Sequence, residues 1–96
     1  MQEIKLSKKT AEGYVFPLNG VSMVFAKTDI GIVGCGLFEI PVFERFKCPA
    51  AKVRSLKGPI TDIKGLLEAS VIETNDAAKQ LGIVEGISGK DALEKL

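Results

Sequence analysis

The sequence has no histidine, and only two of its 96 residues are cysteine. Histidine is the side chain that most often serves as a general base near neutral pH. Its absence therefore excludes Ser-His-Asp and Cys-His catalytic machinery and the ordinary histidine-containing zinc sites. A second identical chain has no imidazole to lend either, so any chemistry must depend on thiol, carboxylate, amine or backbone groups.

Disulfides, targeting signals and long apolar runs are also missing. Cys35 and Cys48 are too few for a disulfide scaffold and do not form a CxxC pair. The first six residues have an early acid and no apolar run, unlike a signal peptide. The longest uncharged stretch, residues 13–26, is interrupted by proline and glycine and is shorter than the ~20 residues of a membrane helix. We therefore expect a cytoplasmic protein with no membrane contact.

The net charge and the length of the chain restrict the binding partners that we expect. A net charge of +1 gives no general attraction to nucleic acid, and we expect none to bind. The length fits one domain over residues 1–96. A mean hydropathy of +0.20 is high for so small a body, which favours burial against a second copy. We expect a homodimer in which Phe16 or Phe25 lies in a two-fold contact.

Periodicity predicts strands first and helices later. Alternation around Ile4, the β-branched and aromatic segments 14–16 and 21–26, and the apolar segment 30–33 predict four strands, with a hairpin turn at Asn19-Gly20. Spacings of three and four predict a helix over residues 39–47, and alternation returns in a strand over residues 50–56.

The C-terminal third carries three helix-start signals. Thr61, Ser70 and Ser88 are each suitable N-caps, and Gly82 is suited to end the helix that begins at Ser70. This order predicts an α+β fold, in which a mostly antiparallel or mixed sheet from the strand-rich N-terminal half is covered by C-terminal helices.

Several segments from Gly31 onward resemble one protein family. They are Cys35-Gly36 after an apolar strand, Leu66-Leu67-Glu68-Ala69, Ala77-Ala78, Leu81-Gly82-Ile83, and the run from Gly86 to Leu93. Together they resemble the YunC-like family of small bacterial and archaeal proteins, a domain of unknown function, over the last two-thirds of the chain. Lys90 and Asp91 stand where that family has Arg and Glu. The resemblance implies an α+β fold and no established activity, cofactor or catalytic residue.

Gly34-Cys35-Gly36 is the sharpest candidate site. A glycine turn between a strand and a helix directs free backbone N–H groups at an anion, and a helix start stabilises a thiolate. Cys35 is thus the candidate catalytic residue, while Gly34 and Gly36 are candidate ligand-binding residues. The spacing matches neither GxGxxG nor the P-loop, so we predict no nucleotide or other cofactor. The alternative interpretation is that the glycines allow close packing around a small buried thiol.

Other residues give weaker signals. Lys52 and Arg54 are candidates for binding a small anionic ligand, or they lie on the outer face of a strand and keep its edge from pairing with other chains. Cys48 is more typical of a packed thiol than of a redox partner for Cys35. The scattered carboxylates are typical of solvated helix faces, and no metal site is predicted.

Two functions remain open from the sequence. The first is a non-catalytic, self-associating module that binds a partner or a small ligand. The second is a thiol-dependent enzyme or redox protein centred on Cys35, with oxyanion donors from Gly34 and Gly36. The exposure of Cys35 separates them, because a packed thiol favours the module. Desolvation by apolar neighbours outweighs the effect of a helix start, so we expect Cys35 to be buried.

Overall fold

The computed structural model describes residues 1–96 as a six-stranded mixed sheet with four short helices. In chain order the elements are β1 (Gln2–Lys5), β2 (Thr10–Leu18), β3 (Val21–Lys27), β4 (Ile32–Gly34), α1 (Ile40–Arg45), β5 (Ala50–Arg54), α2 (Ile63–Glu68), β6 (Ser70–Thr74), α3 (Asp76–Lys79) and α4 (Gly89–Glu94). The strand order in the sheet is the same as the order in the chain. The α+β prediction is confirmed.

The N-terminal strands form an antiparallel meander. β2 pairs with β1 on one side and with β3 on the other. The predicted hairpin is confirmed, since the two residues between Leu18 and Val21 join β2 to β3. Of those two only Gly20 has a positive φ, +83°, a conformation that glycine adopts without steric cost. Beyond residue 13 on β2 no β1 residue is paired, so this hairpin extends past its neighbour.

The only parallel pair lies in the middle of the chain. β4 runs parallel to β5, with α1 between them in sequence. β5 then pairs antiparallel with β6, with a register shift between Lys52 and Val53. α1 is shorter than the predicted helix over residues 39–47 but lies within it, and Pro41 occupies its first turn as expected.

The main core lies between the sheet and the helices α2 and α4. Alternate residues of the strands point to this face, among them Val24, Val33 and Val53, each fully buried. From the helices, Leu66 and Leu93 are also fully buried in the same cluster. Removing this apolar surface from water is the main stabilising contribution to the fold.

The opposite face of the sheet carries a row of aromatic rings, here called the aromatic face. Its rings contact one another in sequence across β2, β3 and α1: Phe16, Tyr14, Phe25, Phe38 and Phe43. α1 contacts β5 and covers one end of the row, whereas Phe16 at the other end is 45% exposed. The helices thus lie on both faces, with α1 alone on the aromatic face.

Two predictions about the C-terminal third are wrong. Residues 70–74 form the strand β6 and not a helix capped by Ser70, because this β-branched segment pairs with β5. The N-cap of α2 is Asp62, whose carboxylate accepts the Gly65 N–H at 2.7 Å, and not Thr61. The prediction for Ser88 is confirmed, since its hydroxyl accepts the Asp91 N–H at 3.0 Å.

Candidate functional site

A groove of about 770 Å³ opens where β4 and β5 end. One wall comes from the β2–β3 hairpin, and the other from the loop that follows β5. The residues that line it are Pro17, Leu18, Gly20, Val21, Ser22, Cys35, Gly36, Leu37, Val53, Arg54, Ser55, Gly58, Pro59, Ile60, Thr61 and Ile72. Its volume falls within the range of ~300–1,000 Å³ that is common for small-molecule sites.

The position of the groove follows from the topology. The chain leaves β4 toward α1 on the aromatic face, and it leaves β5 toward α2 on the opposite face. Adjacent parallel strands whose connections diverge in this way leave a crevice at their carboxyl ends, where ligands of open sheets commonly bind. Here the residues in that position are Cys35 and Gly36 after β4, and Arg54 at the end of β5.

Arg54 is the only charged residue that lines the groove. Its side chain is exposed, and it makes no ion pair or hydrogen bond within the chain; the two ion pairs join Lys9 to Asp29 and Lys52 to Glu73. Apolar side chains form much of the remaining lining. The groove is therefore amphipathic, with a single uncompensated positive charge.

The groove also has polar groups without partners. The backbone N–H groups of Gly36 and Leu37 donate no hydrogen bond within the chain, and neither do the hydroxyls of Ser22 and Thr61. A Cβ placed on Gly36 would meet no other atom within 4 Å, so the backbone at this point is open. These groups are free to hydrogen-bond a ligand or water.

Cys35 borders the groove but is buried, with only 4% of its surface exposed, as the sequence predicts. Its Sγ accepts a hydrogen bond from the Val24 N–H at 3.4 Å and lies 3.9 Å from the Ser22 carbonyl oxygen. α1 starts only at Ile40, after an intervening turn, so the thiol does not lie at a helix start. The geometry is that of a small packed side chain at the floor of the groove.

The candidates Gly34 and Lys52 are not brought into the groove. Gly34 is buried against Phe38, whose ring would overlap a Cβ at this position. The Lys52 Nζ lies 3.5 Å from a carboxylate oxygen of Glu73 on β6. β5 is an inner strand of the sheet, so neither Lys52 nor Arg54 protects a sheet edge.

Cys48 and the carboxylates form no further site. Cys48 is half-buried, it is a free thiol like Cys35, and its carbonyl oxygen accepts the side-chain amide of Asn75 at 2.7 Å. No three Cys, Asp or Glu side chains come together as metal ligands. None of the helices is long and apolar enough to cross a membrane.

Several residues that line the groove are not predicted from the sequence. Leu37, Ile60 and Thr61 lie in turns and loops and Ser22 lies on β3, and their proximity depends on the strand order. The hairpin turn was the one signal for the first wall. The apolar loop residues among glycine and proline carried no signal of their own.

The aromatic face contains one perturbed group. The Tyr14 hydroxyl donates a hydrogen bond to the Glu12 carboxylate. This bond, followed by burial and by the negative charge of Glu12, raises the pKa of Tyr14 above its ordinary value. Glu12 and Lys27 are opposite each other in the β2–β3 register, two residues along each strand from the paired rings of Tyr14 and Phe25.

Comparison with known proteins gives a fold and a family. The chain is similar to the crystal structure of a protein of unknown function from Thermoplasma acidophilum, with a TM-score of 0.88 and 21% identity, over 99% of this chain and 89% of that one. At this identity the likeness shows the fold alone. No curated protein gives a significant match. Residues 34–96 match the family described as a domain of unknown function, DUF1805, a description that does not include the name YunC-like. The chain therefore belongs to the DUF1805 family.

Proposed function

We propose that this domain is a small non-catalytic binding module, which holds a small molecule in the groove and associates with a second copy of itself. The observation that carries the first part is the groove at the diverging ends of β4 and β5, with Arg54 unpaired beside an apolar lining. Largely apolar sites with a few convergent polar groups are typical of ligand pockets.

The thiol-enzyme alternative has one supporting observation, since Cys35 borders the groove. Against it, the thiol is 4% exposed and its Sγ contacts backbone groups of β3. No carboxylate or amine side chain of the groove lies beside Cys35 in the role of a general base, because Arg54 is the only charged lining residue. The packing role is therefore the better supported one.

Amide chemical shifts test the binding role. Isotope-labelled protein is titrated with a mixture of small amphipathic molecules, and the amides of Gly36 and Gly58 serve as reporters of the groove. We expect concentration-dependent shifts that concentrate around these glycines. Shifts spread over the whole surface, or none at all, would contradict a binding module.

Alkylation tests the thiol alternative in the same samples. Cys48→Ser leaves Cys35 as the one thiol, and the rate of its modification is compared between folded and denatured protein. We expect strong protection in the folded state near neutral pH. Rapid labelling of the folded protein at mildly acidic pH would instead favour a reactive thiolate.

Self-association is supported by the aromatic face. Phe16, at one end of the row of rings, is 45% exposed, and it does not line the groove. An extended hairpin with exposed apolar residues gains stability when a partner covers it. Pro17 has no N–H for a pairing strand, which favours contact through the face over pairing at the edge.

Light scattering measures this association. We expect a dimer mass at micromolar concentration and a monomer for Phe16→Ser. Phe46→Ser is the matched control, because Phe46 is 77% exposed and lies outside the row of rings. A monomer mass for the unaltered protein would remove this part of the proposal, and dissociation by Phe46→Ser alone would place the contact elsewhere.

A further inference from the structure

The charge of the groove restricts what it can hold. Arg54 contributes one positive charge, and no lysine, aspartate or glutamate lines the same space. A guanidinium presents a planar fork of donors that matches a carboxylate or phosphate in a bidentate contact. A ligand with one negative charge balances Arg54, whereas a doubly charged phosphate leaves one charge without a partner beside apolar side chains.

Apolar side chains line the same groove as Arg54. Leu18 and Leu37 are each 51% exposed, and Ile60 and Ile72 face the same groove from the loop after β5 and from β6. Exposed apolar area in a concave site gains free energy when a ligand removes it from water. A fully polar anion would leave this gain unused.

We propose that the groove binds an amphipathic monocarboxylate, with its carboxylate on Arg54 and its apolar body against these side chains. This inference rests on the proposed function, since it names the ligand class of the same groove. The free hydroxyl of Thr61 and the free N–H of Gly36 supply further donors in the same groove. Neither of these two groups donates a hydrogen bond within the chain.

Three probes of equal chain length separate the contribution of the ligand's charge from that of its apolar body. Octanoate, octanol and octylammonium share one apolar body and differ in charge. We expect octanoate to bind most tightly, octanol more weakly and octylammonium most weakly, with the shifts in each case at Gly36 and Gly58. Octyl phosphate, added above neutral pH where it is doubly charged, should bind more weakly than octanoate.

The matched variants are Arg54→Gln and Arg45→Gln. Both remove one exposed arginine, but Arg45 is at the end of α1 and outside the groove. We expect Arg54→Gln to weaken octanoate about tenfold, equivalent to about 1.4 kcal/mol, and to leave octanol unchanged. Arg45→Gln should change neither. Arg54→Lys should recover part of the affinity, because it keeps the charge and loses the planar fork.

The outcomes test the binding function and the ligand class separately. If no probe shifts the groove amides, the proposed binding function fails along with the ligand class. If all probes bind equally and Arg54→Gln has no effect, the groove remains a binding site and the monocarboxylate class is wrong. If octyl phosphate binds more tightly than octanoate, the charge argument is wrong and the ligand is a phosphate monoester.

Discussion

Asn75 joins three parts of the structure, and its removal should cost far more than the loss of one helix cap. Its Oδ1 accepts the N–H of Ala50 at 3.1 Å and that of Ala78 at 2.9 Å, and its Nδ2 donates to the Cys48 carbonyl oxygen at 2.7 Å. The residue is 6% exposed. One amide thus fixes the start of β5, the segment before it and the first turn of α3.

The magnitude follows from these three bonds. Loss of an N-cap costs typically ~1 kcal/mol, and each buried group left unsatisfied costs about 1–3 kcal/mol. Asn75→Ala orphans the Ala50 N–H and the Cys48 carbonyl in addition to the cap, so we expect a loss of about 3–7 kcal/mol in the free energy of unfolding. In a domain of this size each kcal/mol lowers Tm by roughly 4–8 °C.

Urea unfolding followed by circular dichroism measures this loss against Ser88→Ala. Ser88 is the N-cap of α4 and accepts a single N–H, from Asp91, so its loss should cost about 1 kcal/mol. Asn75→Asp is a second comparison, because it keeps both acceptor roles but replaces the donor to Cys48 with a carboxylate oxygen that the Cys48 carbonyl repels. We expect it to lie between the two alanine variants.

Two results would contradict this role of the Asn75 amide. If Asn75→Ala costs no more than Ser88→Ala, water satisfies the orphaned groups and the amide is not a structural link. If Asn75→Asp is the most destabilised variant, the contact with the Cys48 carbonyl, through the lost donor and the repulsion that replaces it, outweighs the two accepted bonds.

Three further predictions concern the two faces of the sheet. Leu66→Ala should lower the free energy of unfolding by about 2–5 kcal/mol in urea titrations, because the side chain is fully buried in the main core; a smaller loss would mean that the core collapses around the cavity. Gly89→Ala should also destabilise, although alanine is the better helix former by ~1 kcal/mol, because its Cβ would overlap the Leu66 carbonyl oxygen and separate α2 from α4; a gain in stability would contradict that packing. Glu12→Ala, which removes both the hydrogen bond and the charge, should lower the pKa of Tyr14, the only tyrosine, in a phenolate absorbance titration, and an unchanged pKa would exclude the Glu12 contact as its cause. Since the folded state favours the protonated phenol, this group's contribution to stability is complete below the pKa of Tyr14 in the unfolded chain and is lost as the pH rises through the raised pKa in the folded one.

Local signals predicted most of the fold, and they failed where pairing partners decide. Asn19-Gly20 predicted the hairpin and Ser88 predicted the last helix, because turn and cap chemistry act within a few residues. Ser70 looks like an equally good cap, yet Val71 and Ile72 follow it, and a β-branched segment pairs well when β5 lies beside it. The position of β5 beside this segment depends on contacts between residues that are far apart in the sequence.

The candidate site divides in the same way. Cys35, Gly36 and Arg54 were predicted from local composition, and the strand order brings all three to one groove. Lys52 looked equivalent to Arg54 in sequence, but Glu73 on the neighbouring strand neutralises it. The sequence predicts which residues can bind an anion, and the fold decides which of them remains free to do so.

The identity of strand order and chain order has a consequence for how the molecule assembles. Each new strand pairs with the one synthesised just before it, so the sheet can grow one strand at a time with short loop closures, which favours rapid folding. α4 packs across β4 and β6 and against α2, however, and it is the last helix of the chain. During synthesis α2 emerges before α4, so until α4 is made only α2 covers the core face and part of that face stays exposed. At this stage we expect chaperone binding or misassembly to compete with folding.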